Sequence, residues 1–207
     1  MALAVTLVLL AGAAHASELV DAVVGVVDGE VITASDIALA RALGLFGFSP
    51  SPDPIESADV ERYARARLVL AEARRLAIDV PPDTAEDGWR AVEARAGGPS
   101  GLDAWLAAAG IDRAWARRAA DTHERWRRFV DLRFVALAFV TPAEVTAALG
   151  SGADDAEARS RAHERLRETK AERALAAWLD ERVAAASIRR RLAPGASVPL
   201  PFHAPAR

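Results

Sequence analysis

The sequence predicts a mostly α-helical fold with a small N-terminal β-hairpin, for which a short C-terminal strand is the candidate third member. Three observations predict it. First, two β-branched runs, DAVVGVV over residues 21–27 and EVIT over residues 30–33, flank Asp28-Gly29. A type I′ turn needs positive φ at both central positions, and Asp-Gly accepts that at little cost. Second, most of residues 57–186 repeats apolar side chains at helical spacing between proline, glycine and capping residues. Third, Ser187-Ile188-Arg189 follows the last helical stretch as a short strand-like segment. Helices of these lengths are marginal alone in water. The core is therefore expected to be helix on helix, closed by the small sheet.

Residues 2–12 (ALAVTLVLLAG) are apolar and uncharged, and Ala14-His15-Ala16 is a small-x-small site. This reads as a secretory signal peptide over residues 1–16, cleaved near Ala16, although no Lys or Arg precedes the apolar run. The run is shorter than the ~20 residues a membrane span needs. A single body is expected over residues 17–192.

Within that body, Thr33 or Ser35 is placed to cap a helix ending at Leu45, with Asp36 in its first turn. Prolines and glycine make residues 46–54 a loop. A long helix follows over about residues 57–78, with Val60, Ala64, Leu68 and Ala71 near one face, and Pro81-Pro82 stop it. The next helix opens at Asp83 or Thr84 and carries Trp89 and Val92. Ser100 and Asp103 resemble a capping box for a short helix over residues 102–109, which bears Trp105 and Leu106 and ends at Gly110. Asp112 caps a helix reaching about Ala138, with Trp115, Trp126 and Phe129 among its large apolar groups. Thr141-Pro142 restarts a short helix that ends at Gly150. Residues 151–155 read as a linker, residues 156–186 as one long helix, and residues 193–207 as a Pro-rich mobile tail.

Composition removes several function classes. The chain has no cysteine, which excludes disulfides, thiolate metal sites and cysteine nucleophiles. A net charge of −3 supplies no global attraction to nucleic acid. His123, His163 and His203 lack a second histidine at zinc-helix spacing. Gly98-Pro99-Ser100-Gly101-Leu102 misses the nucleophile elbow because Leu102 replaces its second glycine. Residues 97–101 also lack the lysine of a phosphate loop. No catalytic site, cofactor or metal is expected. Residues 113–133 interleave arginines with aromatics, but Asp121–Arg125 and Glu124–Arg128 have the favourable i,i+4 order. A solvated, salt-bridged face is the expectation there, not nucleic-acid binding.

Five tryptophans, at 89, 105, 115, 126 and 178, are many for 207 residues. They serve either as core anchors where helices cross or as the lining of an apolar groove. The candidate groove residues are Trp105, Leu106, Trp115 and Trp89. Trp105 is expected to be the most exposed of the five tryptophans, because a short helix offers few neighbours to cover an indole.

The order of these pieces resembles the SurA-type periplasmic chaperones. VDAVVGVVDGEVITASDI over residues 20–37 is similar to the hairpin and helix that open the mature chain in that family. Leu68 to Leu76 is similar to its second helix. Leu102, Trp105, Leu106, Gly110, Ile111 and Trp115 fit its short-helix pattern, and Ile188-Arg189 its closing strand. The family usually carries a parvulin isomerase domain before the last helix. Here that interval is residues 141–155, shorter than one βαβ unit of about 30 residues. The resemblance implies a helical chaperone core without isomerase activity, a periplasmic location, and unfolded or extended polypeptides as partners. The alternative is a non-enzymatic adaptor of a cell-envelope assembly, for which the Pro-rich tail is a suitable docking element.

Overall fold

The computed structural model describes residues 21–150, 155–193 and 195–202. The predicted signal peptide, residues 151–154 of the predicted linker and residues 203–207 of the tail lie outside the described residues.

Strands β1 (Val23–Val27) and β2 (Glu30–Thr33) form the expected hairpin. Asp28 at φ 47° and Gly29 at φ 86° make its turn, the positive-φ pair that a type I′ turn requires. The far edge of β1 pairs antiparallel with β4 (Ile188–Arg190), giving the order β2-β1-β4. Asp28 N–H donates to the Ser187 carbonyl at 2.9 Å and Arg191 N–H to that of Val24 at 3.0 Å. Ser187 N–H donates to Asp28 Oδ1 at 2.8 Å. Val24, Val27 and Ile32 are buried, while Val23 and Val31 are exposed. Gly25 lets β1 lie close on the second helix: a Cβ there would stand 2.8 Å from Val60 Cγ1.

Helix α1 (Ala34–Leu43) starts on a reciprocal capping box. Thr33 Oγ1 accepts from Asp36 N–H at 3.2 Å, and Asp36 Oδ2 accepts from Thr33 N–H at 3.1 Å. Gly44, left-handed at φ 65°, ends it. Eight of its ten residues are buried, including Arg41, so it is the central helix of the main core. The Arg41 guanidinium donates to the Asp53 carbonyl at 2.7 Å and to Asp59 Oδ2 at 2.5 Å. That clamp holds the loop leading into β3 (Ile55–Glu56) and α2 (Ser57–Arg75).

Prolines set the next two helix starts earlier than the sequence suggested. Helix α3 (Pro82–Arg95) begins at Pro82 and α4 (Pro99–Ala109) at Pro99, each with proline in the first turn. Proline lacks the N–H that this turn leaves unbonded and is already set to helical φ. Gly98 is therefore the N-cap of α4, and the expected Ser100–Asp103 capping box does not form. Asp103 instead pairs with Arg113. Helix α5 (Arg113–Val130) has the expected Asp112 cap, whose Oδ1 accepts from Trp115 N–H at 2.9 Å.

Beyond Val130 the chain widens into a π-helical turn over Asp131–Val135, where a continuous α-helix was expected. Ala136 N–H donates to the Asp131 carbonyl at 2.8 Å. A π turn brings residues five apart towards one face. Phe129 and Phe134 thereby meet at 6.0 Å between ring centroids, and both meet Trp178, at 5.5 and 5.9 Å. Helix α6 (Pro142–Leu149) starts at Thr141-Pro142 as expected and adds a Thr141–Glu144 capping box that the sequence reading did not include. Lys170 of α7 (Ala156–Ala185) lies 2.7 Å from Glu144 and ties α6 down.

Helix α7 has 30 residues and spans about 45 Å. It runs from α6 past the π turn and α2, and so delivers β4 to the hairpin. The sequence-based fold class, mostly α with a small antiparallel sheet, is the fold seen. The tail differs from expectation. Ser197–Val198 forms β5, paired antiparallel with β3, and Val198, Leu200 and Phe202 pack on the main core. The chain is a strand only over Ser197–Val198 and bends at Pro201 and Phe202, which turns the last ring towards the core.

Substituting Gly25 with valine tests the close approach of β1 and α2. Overpacking of this kind costs about 1–3 kcal/mol. The Tm of Gly25→Val should fall by roughly 3–10 °C, read by circular dichroism at 222 nm.

Candidate polypeptide-binding groove

The tryptophans occupy different depths. Trp89 is buried between α3 and α5. The guanidinium groups of Arg113 and Arg117 lie over its ring at 5.1 and 5.3 Å from the centroid, close enough for cation–π attraction. Arg113 also reaches Glu93 at 2.9 Å, and Arg117 reaches Glu86 at 2.8 Å. The arginines of α5 thus staple it to α3. The expected i,i+4 pairs are replaced: Asp121 pairs with Arg117, buried Glu124 with Arg127, and Arg125 Nε donates to the Ile78 carbonyl at 3.2 Å. Asp121 and Glu124 thus keep partners on their own helix, at i,i+4 and i,i+3 spacing, and only Arg125 leaves it for another segment.

Trp105 is 9% exposed and Leu106 3%. The expectation that Trp105 is the most exposed tryptophan is overturned, since Trp115, Trp126 and Trp178 are each only half-buried. Two causes act together. Helix α4 is three residues longer at its start than the sequence suggested, and the tail supplies a ring. Phe202 meets Trp105 at 6.1 Å and 75°, and Trp115 at 6.5 Å and 89°. Both are edge-to-face geometries, which the ring quadrupoles favour.

Of the four candidate residues, the structure brings Trp105 and Trp115 together as the two walls of a notch. Leu106 is core beneath α4, and Trp89 stands apart under its arginines. Sequence reasoning missed Val198, Leu200 and Phe202. Their signal was present as the V-x-L-x-F spacing of VPLPF, but proline content pointed instead to a free tail. Upstream of Phe202, the tail lies over a small cavity of about 190 Å³, lined by Asp21, Ala22, Ala34 and residues 198–201.

A second aromatic cluster lies deeper. Phe46 has a positive φ of 53°, an uncommon conformation for a bulky residue. Its N–H donates to His123 Nδ1 at 3.1 Å. Its ring packs edge-on to Tyr63, His123 and Trp126, at 5.9, 5.2 and 6.2 Å. Burial, helped by Arg127 and Arg95, lowers the His123 pKa from 6.5 to about 4. Burial likewise raises the Tyr63 phenol to about 12. These are packing groups, held neutral by their surroundings.

Among the described residues, no group of three or more His, Asp or Glu is placed to hold a metal ion. None of the described helices is long and apolar enough to cross a membrane. Neither a protein-family model nor a curated protein matches the chain.

Two outcomes follow from this geometry. Trp105→Ala should cost about 3–5 kcal/mol and lower the denaturant midpoint markedly, whereas Trp115→Ala, half-exposed, should lower it less. The second concerns acid. The unfolded chain takes up a proton at His123 near pH 6.5 and the folded chain only near 4. The histidine's contribution to stability is therefore complete above about 6.5 and declines as pH falls towards 4. His123→Asn should flatten the fall in Tm across that window.

Proposed function

We propose that the chain is a non-enzymatic chaperone of the cell envelope that holds unfolded or extended polypeptides, with a SurA-type core and no isomerase domain. The observation that carries this reading is the path of the chain around its sheet. The hairpin that opens the body is closed by β4, delivered by one long returning helix. The interval where an isomerase domain would sit contains one eight-residue helix, α6. Further support comes from the aromatic notch of Trp105 and Trp115, which has the ring of Phe202 seated in it. The apolar leader over residues 2–12 and the Ala14-His15-Ala16 site support export to the periplasm.

The alternative, an adaptor that binds one folded partner, has its own supporting observation. Leu137 and Phe139, at the joint between the π turn and α6, are 74% and 76% exposed. Side chains this large and this exposed on neighbouring residues suit a protein contact.

The test is dilution of a urea-unfolded outer-membrane β-barrel protein into buffer with stoichiometric chain, followed by light scattering. Suppressed aggregation, with no acceleration of X-Pro exchange beyond its uncatalysed tens to hundreds of seconds, is the expected result. Unchanged aggregation, together with recovery of a single folded partner from envelope extracts, would favour the adaptor.

A further inference from the structure

We propose that residues 197–202 occupy, within the same molecule, a docking groove whose exchange partner is an extended polypeptide segment with apolar residues at alternate positions and an aromatic end. The inference deepens the chaperone reading and rests on it, because it names where such a segment is held. The tail itself displays the chemistry the groove accepts.

Three features define the groove. Its first part is the backbone of β3, to which β5 adds in the register Ile55↔Val198 and Glu56↔Ser197. Strand addition of this kind recognises main chain and is tolerant of sequence. Its second part is the apolar floor that takes Val198 and Leu200. Its third part is the notch where Phe202 stands edge-on to both Trp105 and Trp115. The chain is a strand over Ser197–Val198 and bends at Pro201 and Phe202, so a segment of the pattern apolar-x-apolar-x-aromatic that starts as a strand and bends before its ring reproduces all three contacts.

The tail is a replaceable occupant. Its strand is two residues long, and its apolar side chains are only half-buried. It leaves a cavity of about 190 Å³ against Asp21, Ala22 and Ala34, room that a bulkier segment would fill. The seat, by contrast, is rigid: Ile55 is fully buried, and the loop before it is clamped by Arg41. A tethered occupant lowers the apparent affinity for a free one by the fraction of time the groove is open, so the tail acts as an internal competitor.

A lock tests this. Glu56 and Ser197 are direct cross-strand partners, a pairing that brings Cβ atoms to about 4.5–5.5 Å, near disulfide reach. The chain has no other cysteine. The double variant Glu56→Cys, Ser197→Cys would be compared oxidised with diamide and reduced with dithiothreitol, so both states share any cost of the substitutions. The probes are a fluorescein-labelled synthetic peptide of residues 196–202 (ASVPLPF), read by anisotropy, and the urea-unfolded outer-membrane protein used above. The expected result is that oxidation weakens both by roughly tenfold or more and that reduction restores them. Trp115→Ala in the reduced background should weaken the peptide further while the fold persists by circular dichroism.

Equal holding of the unfolded protein in both states overturns the groove and leaves the chaperone reading standing. A peptide that distinguishes the states, beside an unfolded protein held in neither, overturns the chaperone reading and supports the groove as a peptide site. A reduced protein that dimerises in sedimentation and ignores the peptide overturns the proposed partner in favour of tail exchange between two copies.

Discussion

The structure depends on β1 being hydrogen-bonded along both edges. One edge is satisfied locally, by a hairpin that a two-residue turn makes nearly automatic. The other is satisfied by β4, more than 150 residues away in the chain. A central strand left with one bare edge would expose unpaired N–H and C=O groups, so the hairpin is complete only when α7 has returned. That requirement sets the length and course of α7: it must travel from α6 back past α2 to place Ile188 opposite Val27. It also explains Gly25, whose missing side chain lets the shared strand settle onto Val60.

Around that closure, arginine is the connecting residue of the helical body. Arg41 is buried and joins α1 to the loop before β3 and to α2. Arg67 and Arg74 of α2 both reach Glu30 of the hairpin, and burial opposes the Glu30 charge while these two cations hold its pKa below the usual carboxylate range. Arg113 and Arg117 bind α5 to α3 through acids and the face of Trp89. Many of these pairs are partly exposed, and such pairs contribute little each. Their common effect is orientation: planar, forked donors fix the angle at which alanine-rich helices cross, where small side chains alone leave that angle loosely specified.

The same economy of large side chains accounts for the aromatic clusters. Alanine buries little area, so rings carry much of the contact between elements. One cluster, Phe129, Phe134 and Trp178, is assembled by the π turn and anchors α7. Another, around Phe46 and His123, locks the loop after α1. The third, Trp105 and Trp115, is open enough to admit a ring from an extended segment. In the proposed function this third cluster is where the fold turns packing chemistry towards recognition.

Much of the fold was legible in the residues. Asp28-Gly29 specifies its turn because few residue pairs accept two positive φ values. Asp112 and the Thr33-to-Asp36 stretch specify helix starts through hydrogen bonds made within three residues, and Thr141-Pro142 specifies one through the proline at its first position. The Ile188 strand was legible as a short strand-like segment after the last helix, placed like the closing strand of the chaperones that the sequence resembles. Only the tertiary structure decided the rest. It chose Pro82 and Pro99 over the polar caps that follow them, turned the end of α5 into a π turn that aligns Phe134 with Phe129, and sent Arg113, Arg117 and Arg125 of α5 to partners on other elements. It also seated Phe202 between Trp105 and Trp115, reversing both the exposure expected of Trp105 and the freedom expected of the tail. The reason is the range of the forces involved. Turn and cap chemistry is settled within a few residues of sequence, whereas burial of a ring or pairing of a strand edge is settled by whichever surface the completed fold brings alongside.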